Sequence, residues 1–422
     1  MLFTMTKTKI KYLGLALGLF FCSFNGFAQS EALTSSPYSL YGLGVINQTS
    51  IGKSNSLGYT GIGISSNSEI NNLNPANFGS IPQNSFFYDI GMNAEINKYS
   101  NSTSDDTNTT VNFSNLAFAF RIAEGLGAGI SMVPYSDVGY SVLSEESNIE
   151  GSTDTYLSYV TGIGSLSDLK LNLGYNVMDQ LRVGLSTSFL FGSIDQEELI
   201  AISSSTFELT ETTNYTGVRF GLGLQFDPTE NITFGSIMNL PTTLKGDMTR
   251  SAVKTVSGFE ITVEDEVETD ADNFSLPLEV GMGVSAKLKD KYTVSLDYRK
   301  NYWSSTDQED EAGTYVDQDI VGFGLEYIKN KKSYKYKDRI NYRLGFNYDN
   351  GYLEINEQKI DGYSITTGLG LPLSLRSNSI INLSYSYSSK GRVETVLVKE
   401  NYHVITLNMS LEDLWFRKRK IN

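Results

Sequence analysis

Of 422 residues only one is cysteine, Cys22, and only one is histidine, His403. Beyond a leader containing Cys22 the chain holds no thiol, which excludes disulfides and thiolate metal sites. A single imidazole excludes a histidine-based metal cluster. Basic charge is short as well. Lys and Arg number 33 against 48 Asp and Glu, a formal net charge of −15, and that balance argues against a nucleic-acid partner. No segment past the N-terminal region approaches 18 consecutive apolar residues, so no transmembrane helix is expected. The sequence also lacks a nucleophile motif, a glycine-rich phosphate loop and paired-carboxylate spacing. Neither an enzyme nor a cofactor is expected from it. The mean hydropathy of −0.21 would suit a soluble protein, but strands that alternate apolar and polar residues average to the same value.

The first residues read as an export signal. Lys7, Lys9 and Lys11 form a basic start, Tyr12 to Phe21 a short apolar run, and Gly26-Phe27-Ala28 a cleavage site. The expected leader is 1–28. Leu19-Phe20-Phe21-Cys22 imitates a lipobox, but that motif needs a small residue before the cysteine and Phe21 is large.

What the rest of the chain has in abundance is period-two alternation. Ile381, Leu383, Tyr385 and Tyr387 oppose Asn382, Ser384, Ser386 and Ser388. Tyr342, Leu344, Phe346 and Tyr348 oppose Asn341, Arg343, Gly345 and Asn347. Val218 to Phe226 repeats the pattern against Arg219, Gly221, Gly223 and Gln225. Each such strand has one greasy and one polar face. A soluble sandwich alternates too. Here the apolar faces are uniformly large and aromatic, and the connections alternate short and long, the asymmetry of a membrane barrel. Fourteen strands are expected, near 86–98, 112–122, 126–144, 168–178, 181–196, 213–227, 231–249, 274–288, 291–304, 316–328, 339–350, 362–373, 379–389 and 402–416. Long loops fall near 99–111, 145–167, 197–212, 250–273, 305–315, 351–361 and 390–401. The fold class is all-β: a 14-stranded antiparallel transmembrane β-barrel over 86–416, with a basic periplasmic tail at 417–422. Tyr292, Tyr302, Trp303, Tyr327, Tyr348, Tyr402, Trp415 and Phe416 mark strand ends, where aromatics anchor a barrel at the lipid–water interface.

Residues 29–85 do not alternate. They are dense in Gly, Ser and Asn, with Gly58-Tyr59-Thr60-Gly61-Ile62-Gly63 followed by Asn74-Pro75-Ala76. Such a stretch reads as a compact hatch folded inside the barrel, where Gly lets the backbone approach the wall and Asn-Pro fixes a turn. At this point the sequence resembles the FadL-type outer-membrane transporters, in which a glycine-rich stretch leads to an Asn-Pro-Ala turn. Tyr342 to Tyr348 and Gly368-Leu369-Gly370-Leu371-Pro372 are similar to that family as well. The resemblance implies a fourteen-stranded barrel in the outer membrane of a Gram-negative cell, plugged by an N-terminal hatch. It also implies passage of hydrophobic or amphipathic small molecules with sideways exit through the wall. The PorV-like relatives instead serve the type IX protein secretion system, so the alternative is a non-transporting subunit of a larger outer-membrane complex. The long loops are polar and acidic, without an apolar pair to capture a fatty acid. Expected partners are outer-membrane lipid, a hydrophobic ligand or that larger complex.

By parity the inward-facing charges are Asp89, Arg121, Lys170, Arg182, Arg219, Glu279, Asp297, Arg299, Glu326 and Arg343. Arg121, Arg219, Arg299 or Arg343 could grip a ligand carboxylate bidentately, or could belong to ion pairs that fill the lumen. Pro134, Pro241, Pro277 and Pro372 each remove a ladder donor within or at the end of a strand. Pro134 is the candidate wall kink, with a strand end as the alternative. The seven acids between Glu260 and Asp272 lack the spacing of a calcium loop and read as a solvated acidic loop. His403 shares the face of Ile405, Leu407 and Met409, which places it at the lipid interface rather than beside a serine.

Overall fold

A computed structural model of the chain describes residues 34, 36–143, 147–148, 155–202, 205–310, 313–394 and 397–414. The expected leader, Trp415, Phe416 and the basic tail lie outside these residues. The strands form one closed antiparallel barrel of fourteen. In chain order they are β1 Ser85–Ser100, β2 Asp105–Ala123, β3 Leu126–Leu143, β4 Thr155–Met178, β5 Leu181–Ile202 and β6 Ser205–Thr229. Next come β7, in segments Ile232–Asn239 and Thr242–Val256, and β8, in segments Phe259–Leu276 and Glu279–Leu288. The rest are β9 Tyr292–Asn301, β10 Gln318–Ile328, β11 Asn341–Asp349, β12 Gly362–Pro372, β13 Ile380–Lys390 and β14 Lys399–Leu414. β1 closes the wall against β14 from Ser85↔Leu414 to Ser100↔Lys399.

The alternation is what makes this a barrel in lipid. On β11, Tyr342, Leu344, Phe346 and Tyr348 are exposed outward, while Asn341, Arg343 and Asn347 are buried in the lumen. On β5 the outward residues run Val183, Leu185, Thr187, Phe189, Phe191 and then Ser193, Asp195, Glu197. The apolar stretch is therefore 183–191, the length a tilted strand needs to cross a bilayer. At the short-turn end, Lys329 Nζ lies 2.8 Å from Asp338 Oδ1 and that bond holds the Asp338 carboxyl below its usual range.

Four of the long loops prove to be largely strand. β1 runs to Ser100 and β2 starts at Asp105, β4 starts at Thr155, β5 and β6 run on to Ile202 and from Ser205, and β7–β8 continue to a tight turn at Ser257 and Gly258, both with positive φ. The acidic stretch from Glu260 to Asp272 lies within β8 rather than in a loop. Composition misleads here. Outside lipid a strand needs no greasy outer face, so polar and acidic residues continue the ladder unnoticed. Two aromatics expected at the lipid interface are inside instead. Trp303 is buried against Tyr352, with ring centroids 5.4 Å apart, and Tyr315, at 5.5 Å. Tyr402 has the lumen parity of Thr406 and Asn408, and its hydroxyl donates to Glu400 at 2.5 Å. The connections after β9 and β11 also meet, as four short strands between Glu309 and Lys359 form a separate sheet over the mouth.

The segment 36–84 sits in the lumen as short 3-10 turns, the strand pair Val45–Ile46 and irregular chain, with Leu43, Ile51, Ile62, Ala76 and Phe78 nearly inaccessible. Inward-facing glycines make room for it. A Cβ on Gly324 would lie 2.7 Å from Leu57 O, and one on Gly283 would lie 2.7 Å from Gly63 N. A Cβ on Gly345 would overlap Gly58 N and Leu57 C. The hatch thus rests backbone to backbone on the wall, an approach only Gly permits.

Candidate functional site

Asn74-Pro75-Ala76 opens a 3-10 turn, Pro75–Ser80. The Asn74 side chain accepts from Ala76 N at 3.0 Å, while its Nδ2 donates to Ile62 O at 2.9 Å and to Leu224 O of β6 at 3.1 Å. One side chain therefore caps its own turn, ties two hatch segments together and pins both to the wall. Farther round, Gly61 N and Ile62 N donate to Asp297 Oδ2 at 2.7 and 2.9 Å. Gly58 N donates to Thr366 Oγ1 at 2.9 Å. Ser285 Oγ donates to Gly63 O at 2.8 Å.

The four candidate arginines do not converge. Arg343 Nε donates to Glu326 at 2.8 Å and Nη1 to Asn382 Oδ1 at 2.6 Å, with hatch Glu69 at 3.8 Å. Arg219 donates from Nε to Leu240 O at 3.0 Å and from Nη2 to Pro277 O at 2.6 Å, with Glu279 at 3.9 Å. Those two carbonyls sit where Pro241 and Pro277 interrupt adjacent strands, so Arg219 satisfies acceptors that the broken ladder leaves behind. Arg299 Nη2 donates to Gln48 Oε1 at 2.6 Å. Arg121 reaches Ala123 O and Ile81 O at the short-turn end. Arg219 and Arg299 line a common cavity, of about 60 Å³, beside Asp168, Lys170 and Glu279. Other lumen charges are similarly engaged. Arg182 lies 2.6 Å from Asp227. Asp89 accepts from Asn115 and Asn408 at 2.5 Å and from Ser410.

The wall is uneven at β3. β2 and β3 pair only from Leu116↔Met132 to Ala123↔Leu126. Beyond Met132, β3 continues beside β4, with a register shift between Pro134 and Ser136. Its other edge takes the hatch pair Val45–Ile46 opposite Asp137 and Ser136, and Asn47 N donates to Tyr135 O at 2.9 Å. The outer half of β2 stays with β1 as far as Ser100↔Asp105. Pro134 thus lies where the two strands part. A cavity of about 350 Å³ opens there, lined by Asn112, Phe113 and Ser114 of β2, Val133 and Pro134 of β3, and hatch residues Gln48 and Tyr59. Glu95, Asn93, Ser167 and Ser386 add polar groups to a lining that is otherwise largely apolar. Sequence reading could place Pro134 but not the hatch strand that replaces β2, because two residues carry no signal of their own. His403 is exposed on the outer wall, its Nδ1 2.8 Å from the Tyr385 hydroxyl.

A family model described as BamG matches residues 9–422. Among solved structures, the CymD monoaromatic hydrocarbon channel superimposes with a TM-score of 0.60 at 16% identity, over 88% of this chain and 100% of that one. The Pseudomonas putida toluene transporter TodX gives 0.60 at 16% identity, over 87% and 99%. A Pseudomonas aeruginosa FadL homologue gives 0.59 at 13% identity, over 85% and 97%. At these identities the likeness is one of fold. No curated protein matches the sequence.

Proposed function

From the premise that the chain belongs to the BamG family, we propose that it is an outer-membrane barrel that admits amphipathic small molecules through its wall between β2 and β3. The observation that carries this reading is the ladder that stops at Leu116↔Met132 beside a cavity of about 350 Å³. A cavity where the wall ladder stops, with both apolar groups and Asn, Ser and Glu in its lining, suits a molecule with an apolar tail and a polar head. A purely apolar hydrocarbon would leave those polar groups without partners, at a cost of about 1–3 kcal/mol each. The similar monoaromatic hydrocarbon channel and toluene transporter support passage of a small molecule with an apolar part. The arginines enter this reading as lumen ties for the hatch rather than as carboxylate grips, since protein acceptors already engage each of them.

A second reading, a barrel subunit of a larger outer-membrane assembly, is favoured by the hatch itself. It is hydrogen-bonded to β6, β8, β9 and β12. The test is mass spectrometry of protein purified from its own membrane in mild detergent, wild type beside Ser114→Trp and Ser167→Trp. The first reading expects a stoichiometric amphipath that both variants lose while keeping the barrel. Wild type that carries no small molecule but holds a protein partner would transfer the conclusion to the second reading.

A further inference from the structure

The strands from β4 to β8 do not stop at the membrane. Past the apolar band of β5, its residues Ser193 to Ile202 continue the ladder with β4 and β6. β7 and β8 carry it on to the turn at Ser257 and Gly258. A sheet therefore stands beyond the lipid on the side of the long connections. Its last strand, the outer segment of β8, pairs with β7 alone among the described residues. From Phe259 to Asn273 its other edge presents about 45 Å of strand backbone, at roughly 3.3 Å per residue, with bulges where the register against β7 shifts near Val253, Ala252 and Gly246.

The two faces of that edge differ. Register places Phe259 opposite Val256, and Ile261 opposite Lys254 and then Phe207 and Ile200. Phe259 and Ile261 are 77% and 53% exposed, on the face that continues the lumen side. The outward face carries Glu260, Glu268, Asp270 and Asp272. Among the described residues only Glu264 of the seven acids on this strand comes within 4.0 Å of a basic side chain, Arg250. An open edge with an exposed apolar row is normally an aggregation hazard, and like charges along it prevent self-pairing. A second copy of this chain is thereby excluded as the occupant, and so is an anionic lipid surface.

We propose that the outer edge of β8 is a strand-addition site for a separate surface protein. Its partner segment is extended, with apolar residues alternating with Lys or Arg. Backbone pairing supplies the affinity of such an addition, and side chains on alternate faces supply its specificity. Here the apolar positions cover Phe259 and Ile261, and the basic ones face Glu260, Glu268 and Asp270. The site is independent of what the wall between β2 and β3 conducts.

The test is a photoreactive amino acid placed at Phe259 and, separately, at Thr262 in the full chain in its native outer membrane, with Phe346 in the lipid belt as control. The expected result is an adduct at both positions with one protein, through a segment of alternating apolar and basic residues. The E260K/E268K/D270K variant keeps the heat-dependent gel mobility of a folded barrel and loses at least tenfold of that yield. No protein adduct at either position overturns the proposal. An adduct with a second copy of this chain does so too, as does a yield that charge inversion leaves unchanged.

Discussion

Substituting Gly345→Val on β11 should release the hatch without unfolding the barrel. A Cβ at this position collides with Gly58 N and Leu57 C, backbone atoms with no rotamer to yield. The wall cannot retreat, because β11 is paired on both sides from Asn341 to Asp349. The hatch must therefore move. The bond from Gly58 N to Thr366 Oγ1 goes first, then the 2.6 Å contact between Thr60 and Ser295. The two bonds from Gly61 and Ile62 to the Asp297 carboxylate are next in line. At about 1 kcal/mol for each neutral bond and about 2 kcal/mol for one lost bond to the carboxylate, the docked state weakens by about 4 kcal/mol. That is roughly a thousandfold in the docking equilibrium. With Cys22 as the sole cysteine, Ser54→Cys in a Cys22→Ser background gives a single reporter thiol. Ser54 is buried in the docked hatch. Maleimide labelling of that thiol should be slow in the otherwise native protein and rise by two to three orders of magnitude with Gly345→Val. Unchanged labelling in a barrel that still folds would falsify the claim that backbone contact with the wall seats the hatch.

Three further outcomes follow from the lumen contacts. Glu326→Gln leaves the buried Arg343 guanidinium with Glu69, at 3.8 Å, as its one charge partner among the described residues. Urea unfolding in lipid should show a loss of about 3–5 kcal/mol, and a wild-type midpoint would mean the pair adds nothing. Arg219→Ala uncovers the carbonyls of Leu240 and Pro277, so hydrogen exchange should speed up around the interruptions in β7 and β8. Arg219→Lys should rescue little, because one ammonium lacks the planar fork that spans both acceptors; equal protection in all three proteins would refute that role. Asn74→Ala should loosen the turn at Pro75 by about 1–3 kcal/mol, since Ala76 N, Ile62 O and Leu224 O all lose a partner. The Ser54→Cys reporter would detect it, with a smaller rise than for Gly345→Val.

The sequence alone determined the barrel. Leu383 against Ser384 and Phe346 against Asn347 set the period, lipid requires one greasy face, and closure follows because no edge can remain in hydrocarbon. It determined the lumen side of Arg343, Asp297 and Asp89 by the same parity. It also marked the hatch, since Asn74-Pro75-Ala76 and its glycines fit no strand. Where lipid ends, that signal ends too. The outer parts of β5 to β8 are bound by the same ladder but face water, so their polar and acidic residues read as loops. Trp303 and Tyr402 looked like interface anchors because aromatic identity gives chemistry, whereas only packing and register decide the side of the wall. Which arginine meets which acceptor, and that Val45 and Ile46 take the place of β2 beside β3, were decided by the tertiary structure. These contacts join residues tens to hundreds of positions apart, and a ladder hydrogen bond is made by backbone atoms that every residue shares.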